Sequence, residues 1–370
     1  MEKKKLKIVI LTANRKGEAT KSIMSAGEKK GHEMICLNPL HLYLYVSNAG
    51  NDFDKLFDGY GTNDAPKQIK AKDIDAVIPR INGKTFEFGL SVLEHFYNNL
   101  GIFCTQSPDG LRIASEKMLS LQKTRAKGIN TPRTVMVNNP KHIKFLVDLV
   151  TPDADPYVKA PEPQIIMKTN KGSQGNGVMI LKGEQSINSV MQTFAAKKIP
   201  IIIQQKIDTG LYATDIRAIV INNKVVVAME RTGQKNEFRA NISQSGTGKK
   251  IELTEEEQKL AVNAANAIGL TVCGVDMLRK DYTKQLFIIE QNGCYGYKVE
   301  KITKTDISTP LIEYCEEQYL SGNQNKEANN FVTNGLWVDK QKYNSINKKA
   351  DQFDNEIKAQ AKELLLYLRK

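Results

Sequence analysis

Over the first hundred residues, short apolar runs alternate with stretches of helical period. Lys7-Ile8-Val9-Ile10-Leu11-Thr12 reads as a buried strand, residues 18–30 as a helix closed by Gly31, and Glu33-Met34-Ile35-Cys36-Leu37 as a strand stopped by Asn38-Pro39. Strand, helix and strand in that order predict a parallel sheet with a right-handed crossover. Residues 75–82 read as another buried strand, residues 86–99 as a helix and Ile102-Phe103-Cys104-Thr105 as a strand, which completes a small α/β domain. The first turn, Ala13-Asn14-Arg15-Lys16-Gly17, is not GxGxxG, so the dinucleotide fingerprint is absent. Pro79 breaks its strand where the crevice of a parallel sheet would meet ligand, which leaves Arg80 as either an anion contact or an ordinary surface arginine.

The remainder patterns differently. A helix begins at Ser115-Glu116-Lys117, runs through Arg125 and stops at Gly128; a proline-rich loop occupies residues 152–164. The strand Ile165-Ile166-Met167-Lys168 and the strand Val178-Met179-Ile180-Leu181 flank a loop, Thr169-Asn170-Lys171-Gly172-Ser173-Gln174-Gly175-Asn176-Gly177. It is either an ordinary hairpin turn or a flexible loop whose backbone N–H groups close on phosphates, and it is not a Walker loop, which would show GK[ST] opening a helix. A helix over residues 187–198 follows, then the apolar strand Ile201-Ile202-Ile203 running on into Gln204-Gln205-Lys206-Ile207. Residues 215–220 and 225–229 read as an antiparallel pair turning at Asn222-Asn223, and residues 243–248 as a loop. Thr254 with Glu257 is a capping box for a helix over residues 255–268. Two apolar runs then end in acids: Asp276 within Gly274-Val275-Asp276, and Glu290-Gln291-Asn292 after Ile288-Ile289. Strand alternation puts Glu290 and Asn292 on one face, roughly 6–7 Å apart. If the two runs pair, three oxygen ligands converge, a donor set suited to Mg²⁺; the alternative is a strand with polar residues at its exposed end. A last amphipathic helix is expected over residues 355–368 of a basic extension.

Composition narrows the class. The 370 residues are 41% hydrophobic and 25% charged, as in ordinary globular chains, and no apolar run nears the ~18 residues a membrane helix needs. The N-terminal residues lead into a strand rather than a secretory apolar region. Five scattered cysteines without a CxxC pair argue for a reducing compartment and against a disulfide frame or zinc site, so a cytoplasmic enzyme is expected. The net charge of +12 suits nucleic acid, an acidic protein, or a nucleotide with small anionic substrates. Because no basic run is interleaved with aromatics, nucleic acid is not expected.

Taken in order, Ser115-Glu116-Lys117, Met167-Lys168 with its glycine-rich loop, Asp215-Ile216-Arg217, Phe238-Arg239-Ala240-Asn241, Gly274-Val275-Asp276 and Glu290-Gln291-Asn292 resemble the ATP-grasp ligases. The similarity is greatest to the RimK-like α-L-glutamate ligases and spans roughly residues 6–320. The resemblance implies a pre-ATP-grasp α/β domain (residues 1–112), then two α+β lobes whose antiparallel sheets clasp ATP (113–203 and 204–322), then the extension 323–370. It implies that Lys117 and Lys168 contact the nucleotide phosphates, and that Gly172, Ser173, Gln174, Gly175 and Gly177 form a lid over them. Gln205, Lys206 and Ile207 resemble the adenine hinge, with Gln205 where the family usually has an acid. Asp215 matches the ribose side, Arg217 and Arg231 the phosphate side, Arg239 and Asn241 the element near the γ-phosphate, and Asp276, Glu290 and Asn292 the Mg²⁺ ligands. Two ions are implied, with Mn²⁺ able to substitute.

The implied chemistry is attack of a carboxylate on ATP to give ADP and an acylphosphate, then displacement of phosphate by an amine, which adds glutamate or a similar amino acid to a peptide or protein C-terminus. Joining of small molecules, cyclisation of a ribosomally made peptide, and a non-catalytic nucleotide-binding protein are the alternatives; a homo-oligomer is left open. His32, His41, His95 and His142 lie outside the motifs and are expected to be structural, and no nucleophilic cysteine is required of Cys294. Asp276→Ala and Glu290→Ala are each expected to abolish ADP release with the fold intact. After Asn292 this chain continues Gly293-Cys294-Tyr295-Gly296-Tyr297 where relatives carry small residues and proline, so specificity is expected there.

Overall fold

The computed structural model describes residues 4–45, 56–59, 66–70, 73–138, 140–151, 162–172, 177–234 and 246–322. Strand β1 (Lys7–Leu11), helix α1 (Glu18–Lys29) and strand β2 (Glu33–Leu37) form the expected parallel unit, with Lys7 opposite Glu33 and Leu11 opposite Leu37. A meander absent from the sequence reading comes next: β3 (Leu42–Leu44), β4 (Leu56–Asp58) and β5 (Lys67–Ile69) make a small antiparallel sheet. Three-residue strands are too short to display period-two alternation. Strand β6 (Ala76–Pro79), helix α2 (Phe86–Glu94) and strand β7 (Phe103–Cys104) complete the parallel sheet in the order β2-β1-β6-β7.

A helix that the sequence did not suggest precedes the one expected to begin at Ser115-Glu116-Lys117. Helix α3 (Pro108–Ser115) is capped by the Ser107 hydroxyl, which accepts from the Gly110 N–H at 3.0 Å. Glu116 is extended (φ −116°, ψ 103°), so Ser115 ends one helix and Lys117 opens the next, α4 (Lys117–Ala126). The break points the first turn of α4, with Lys117 in it, in a new direction.

Strand β8 (Thr134–Val137), helix α5 (Ile143–Val150), strands β9 (Gln164–Thr169) and β10 (Val178–Lys182), helix α6 (Glu184–Ala196) and strand β11 (Ile201–Gln205) form a smaller lobe. Its antiparallel sheet runs β10-β9-β11-β8. Val147, Val150, Ile165, Met167, Ile187, Met191, Ile201 and Ile203 give it a core of its own.

Strands β12 (Thr214–Ile221) and β13 (Lys224–Thr232) pair across Asn222-Asn223, whose φ values of 49° and 60° match the type I′ turn that short-looped hairpins favour. Strand β14 (Thr247–Ile251) takes in residues expected in a loop; helix α7 (Glu255–Ala267) begins in the Thr254–Glu257 capping box. Strands β15 (Val272–Arg279) and β16 (Leu286–Asn292) and helices α8 (Lys298–Thr303) and α9 (Ser308–Leu320) complete this lobe. Its antiparallel sheet runs β14-β13-β12-β15-β16. Unlike the smaller lobe, it shares its core with the parallel domain: Ile8, Ile10 and Ile78 lie in one buried cluster with Ile219, Val272 and Leu311. No described helix is long and apolar enough to cross a membrane. Residues 152–161 and the helix expected over 355–368 lie outside the described residues.

Candidate active site

One face of the five-stranded sheet collects the chemistry. Directly opposed residues in a sheet share a face, as do residues two apart on one strand. Asp215 is opposite Arg231, Arg217 is opposite Asp276, and Asp276 is opposite Glu290. Arg217 lies two residues beyond Asp215, and Asn292 two beyond Glu290. Four strands therefore deliver six polar side chains to one surface. The pairing of β15 with β16 is the hairpin on which convergence of Asp276, Glu290 and Asn292 depended.

The six are tightly connected. Arg217 donates to both oxygens of Asp276, from Nε to Oδ1 at 2.7 Å and from Nη2 to Oδ2 at 2.6 Å. Arg231 grips both oxygens of Asp215, with Nη2 to Oδ2 at 2.8 Å, and reaches Asp276 Oδ2 at 3.1 Å. Asn292 Nδ2 donates to the same Asp276 oxygen at 3.3 Å. Asp276 is only 2% exposed and Arg231 only 3%. Burial pushes the Asp276 carboxyl up, but the two guanidinium groups outweigh it and hold the carboxyl below its ordinary value. Glu290 is different: its side chain is 31% exposed, and its one ion-pair partner among the described residues is Lys117 Nζ at 4.0 Å.

The spacer Gln291 points to the other face and is fully buried. Its Nε2 donates to Thr124 Oγ1 at 2.6 Å and to the Ala264 carbonyl at 3.2 Å, while Ser120 donates to its Oε1. Gln291 thereby ties β16 to α4 and α7 and sets the height of Glu290 and Asn292. The sequence reading passed over it, although a polar residue between two site residues on a strand must find partners in the core.

Across from this face stand the lysines of the other elements. Lys168, at the end of β9, donates to Gln204 Oε1 at 2.7 Å, and Gln204 Nε2 donates to Thr134 Oγ1 at 2.9 Å. Gln204 was also missed; a carboxamide closing the run Ile201-Ile202-Ile203 was the available signal. Burial lowers the Lys168 ammonium to about 8, with Lys117 pushing the same way and Glu290 and Asp276 opposing. Lys117 Nζ donates to the Gly172 carbonyl at 2.7 Å, and the Asn170 side chain accepts from the Met118 N–H at 3.0 Å, so the first turn of α4 docks on the glycine-rich loop. Gly177 closes that loop at φ +74°, where an added Cβ would meet Thr169 Oγ1 at 2.9 Å.

At the end of β11, Gln205 Oε1 accepts from the Arg133 N–H at 3.2 Å, as a carboxylate there would; Lys206 is exposed and Ile207 buried. Ser173, Gln174, Gly175, Arg239 and Asn241 lie outside the described residues. Arg80 is not an ordinary surface arginine: it is half-buried and its Nη2 donates to the Tyr295 carbonyl at 2.7 Å.

The donor set suits a hard cation. Asp276, Glu290 and Asn292 offer carboxylate and carboxamide oxygens on one hairpin, and Glu290 has lone pairs to spare. Among the described residues no three His, Cys, Asp or Glu side chains are arranged to hold a metal ion, and the third donor of this set is a carboxamide. Four cations (Lys117, Lys168, Arg217, Arg231) stand with three carboxylates (Asp215, Asp276, Glu290), a balance that favours an anion accompanied by a cation.

Comparison with known proteins agrees with this geometry. Residues 6–111 match the RimK PreATP-grasp domain and residues 114–315 the RimK-like ATP-grasp domain. A probable alpha-L-glutamate ligase of Haemophilus influenzae is 34% identical over 312 residues, which cover 84% of this chain and 97% of that protein. A protein with the same name from Coxiella burnetii (strain Dugway 5J108-111) is 33% identical over 315 residues, 84% of this chain and 96% of its own. Among solved structures, the ATP-grasp ligase PsnB complexed with minimal precursor aligns with TM-score 0.62 at 18% identity, over 85% of this chain and 99% of its own. D-alanine–D-alanine ligase from Bacillus anthracis aligns with TM-score 0.53 at 19% identity, over 87% and 99% respectively. These structural likenesses concern the fold alone. With both of its domains matched and a third of the aligned residues identical in relatives covered over nearly their whole length, the chain belongs to the RimK-like ATP-grasp family.

Proposed function

We propose that this chain is an ATP- and Mg²⁺-dependent α-L-glutamate ligase that joins the amino group of glutamate to a carboxylate of a peptide or protein. The observation that carries the reading is the single sheet face holding Asp215, Arg217, Arg231, Asp276, Glu290 and Asn292 opposite Lys117 and Lys168. The names of relatives at 33–34% identity support glutamate as the amino substrate.

In this reading Lys117 and Lys168 hold the phosphates, and Gly172, Ser173, Gln174, Gly175 and Gly177 of the glycine-rich loop would serve as their lid. Gln205, Lys206 and Ile207 line the base, and Asp215 the ribose. Arg239 and Asn241 reach the γ-phosphate. Asp276, Glu290 and Asn292 would hold Mg²⁺, as two ions, which when bound would neutralise negative charge on the phosphates. Arg217 and Arg231 lend positive charge to the phosphoryl group in transit while Asp276 and Asp215 fix their direction.

The acceptor carboxylate oxygen attacks the γ-phosphorus and the bond to ADP breaks, leaving an acylphosphate. The amine of glutamate then attacks the acyl carbon, phosphate departs and a proton leaves the nitrogen. The protein's share is positioning and charge neutralisation, which needs no nucleophilic side chain. Consumption of ATP and five free thiols fit a cytoplasmic setting.

The deciding experiment supplies Mg-ATP and glutamate with a panel of peptides and proteins of varied C-termini, and follows ADP release with mass analysis of the acceptor. A gain of one or more glutamyl residues with equimolar ADP is the expected result. ADP release that no acceptor and no amino acid stimulates would refute the reading.

Lys168 adds a pH signature. With its pKa near 8 in the free protein, phosphate binding beside it should raise that value, so ATP binding takes up a proton. Above pH 8 the free protein has lost that proton, and affinity should fall by up to about tenfold per pH unit. Titrations of AMP-PNP in buffers of different ionisation enthalpy measure the uptake. Lys168→Met should abolish it and weaken binding by roughly 10- to 150-fold, the range for a charged hydrogen bond. Uptake that persists in Lys168→Met would remove Lys168 from the phosphate site.

A further inference from the structure

The segment Gly293-Cys294-Tyr295-Gly296-Tyr297 leaves the site directly after Asn292, and it does not stand alone. Arg80 comes to it from the end of β6 in the parallel domain, with its own N–H bonded to the Leu11 carbonyl at 2.9 Å. Its guanidinium carbon lies 5.4 Å from the centre of the Tyr295 ring and 5.2 Å from that of Tyr297. The two rings are nearly parallel, 8° apart in orientation with centres 6.1 Å apart, and present their faces to the cation. Gly274 permits this: a Cβ there would come within 2.8 Å of Tyr295 Cβ. Asn82 Nδ2 adds a contact to Cys294 Sγ at 3.4 Å. The guanidinium is therefore held by two rings and one carbonyl.

What the described residues do not give it is an anion. Among the described residues no carboxylate pairs with Arg80; the groups that act on its charge are Cys294, Tyr295 and Tyr297. A guanidinium has five N–H donors in a fixed fork, and the Tyr295 carbonyl takes one direction. A half-buried, oriented cation with no carboxylate partner among the described residues is costly to maintain unless an anion completes it. Planar bidentate recognition of a carboxylate is what this fork does best.

We propose that Arg80 is a specificity residue that binds a free carboxylate of the incoming amino acid, with Tyr295 and Tyr297 as its platform. This rests on the ligase reading above. The carboxylate that becomes the acylphosphate must lie by Lys117, Lys168 and the Asp276–Glu290 pair. Arg80 sits instead beyond Asn292, across the following loop, where the amine-bearing substrate would enter. A non-reacting carboxylate there would turn the amino group back toward the acylphosphate.

The test titrates glutamate, glutamine and glutamic acid α-amide into the full-length protein saturated with Mg-AMP-PNP. The wild type should favour glutamate over one of the two amides by roughly 10- to 150-fold, and Arg80→Met should bring that ratio to within about threefold. AMP-PNP affinity, read in the same variants, reports that the ATP lobes remain folded. Should Arg80→Met not fold, Arg80→Lys carries the test, since it keeps the charge but loses the fork and should still lower the ratio.

A loop-holding role alone would weaken all three ligands equally and leave the ratio unchanged, which would overturn the proposal. An equal ratio in the wild type would overturn it too. A shift confined to acceptor-peptide affinity would assign the carboxylate to the acceptor and overturn the amino-acid assignment. Glutamate-dependent ADP release together with an unchanged ratio in both variants would overturn the Arg80 proposal while leaving the ligase reading in place. No glutamate binding and no glutamate-dependent turnover would end both.

Discussion

Glu290→Ala should lower ADP release by at least about 10²-fold while shifting the melting temperature by no more than about 2 °C. The two halves of that expectation have separate causes. Glu290 is the acid on the site face whose oxygens are least committed: its ion-pair partner among the described residues is Lys117 at 4.0 Å and its side chain is 31% exposed. Removing it leaves no buried donor without a partner, so the fold loses little. It is also the most available oxygen donor for Mg²⁺ and the acid that faces both lysines, so phosphoryl transfer loses its charge balance. Parallel measurement of steady-state ADP release and thermal melting checks both. A variant that melts normally and still releases ADP at the wild-type rate would remove Glu290 from the metal site. Glu290→Gln should resemble the alanine variant, because a carboxamide keeps the shape but not the charge.

Asp276→Ala should behave otherwise, and here the expectation from sequence needs correcting. The sequence suggested that this variant, too, would leave the fold intact. Asp276 instead lies at 2% exposure with both oxygens held by Arg217, one of them also reached by Arg231 and Asn292. Its removal strands Arg217 inside the sheet face and leaves Arg231 with Asp215 alone. Breaking a buried pair from one side costs about 3–5 kcal/mol, so Asp276→Ala should melt markedly earlier as well as lose activity. Asp276→Asn retains hydrogen-bonding capacity and should be less damaging.

The pH dependence follows from the direction of the Asp276 shift. Its folded pKa is depressed, so its contribution is present above the ordinary carboxylate value and is lost as pH falls through the folded one. The melting difference between wild type and Asp276→Asn should therefore narrow as pH drops below about 4. Chemical denaturation of the variants at neutral and acid pH measures this. An Asp276→Ala variant as stable as the wild type would show that the two arginines do not depend on this carboxylate.

Much of this site was legible in the chain. Alternation alone placed Glu290 and Asn292 together and sent Gln291 the other way, because strand geometry leaves no choice. Asn222-Asn223 signalled its hairpin, and Thr254 with Glu257 its helix start, since these turns and caps depend on local backbone chemistry. The meander of β3, β4 and β5 did not show, for strands of three residues carry no readable period. Nor did helix α3, whereas α4 starts at Lys117, where the chain suggested a helix would begin, with Asn170 docked on Met118.

By itself, then, the sequence determined which residues could share a strand face, where most elements begin and end, and the order of motifs that marks the family. Those depend on neighbours within a few positions, and the chain carries them whole. Tertiary structure alone decided which strands became partners, and with that the engagement of each acid. Asp276 met Arg217, 59 positions away, because β12 and β15 are adjacent, while Glu290 on the sheet's edge strand has only the longer Lys117 ion pair among the described residues. It also decided that Arg80 meets Tyr295, 215 positions on, where the parallel domain and the five-stranded lobe share one core. Pairings at that separation are set by packing between sheets, and no pattern read along the chain can contain them.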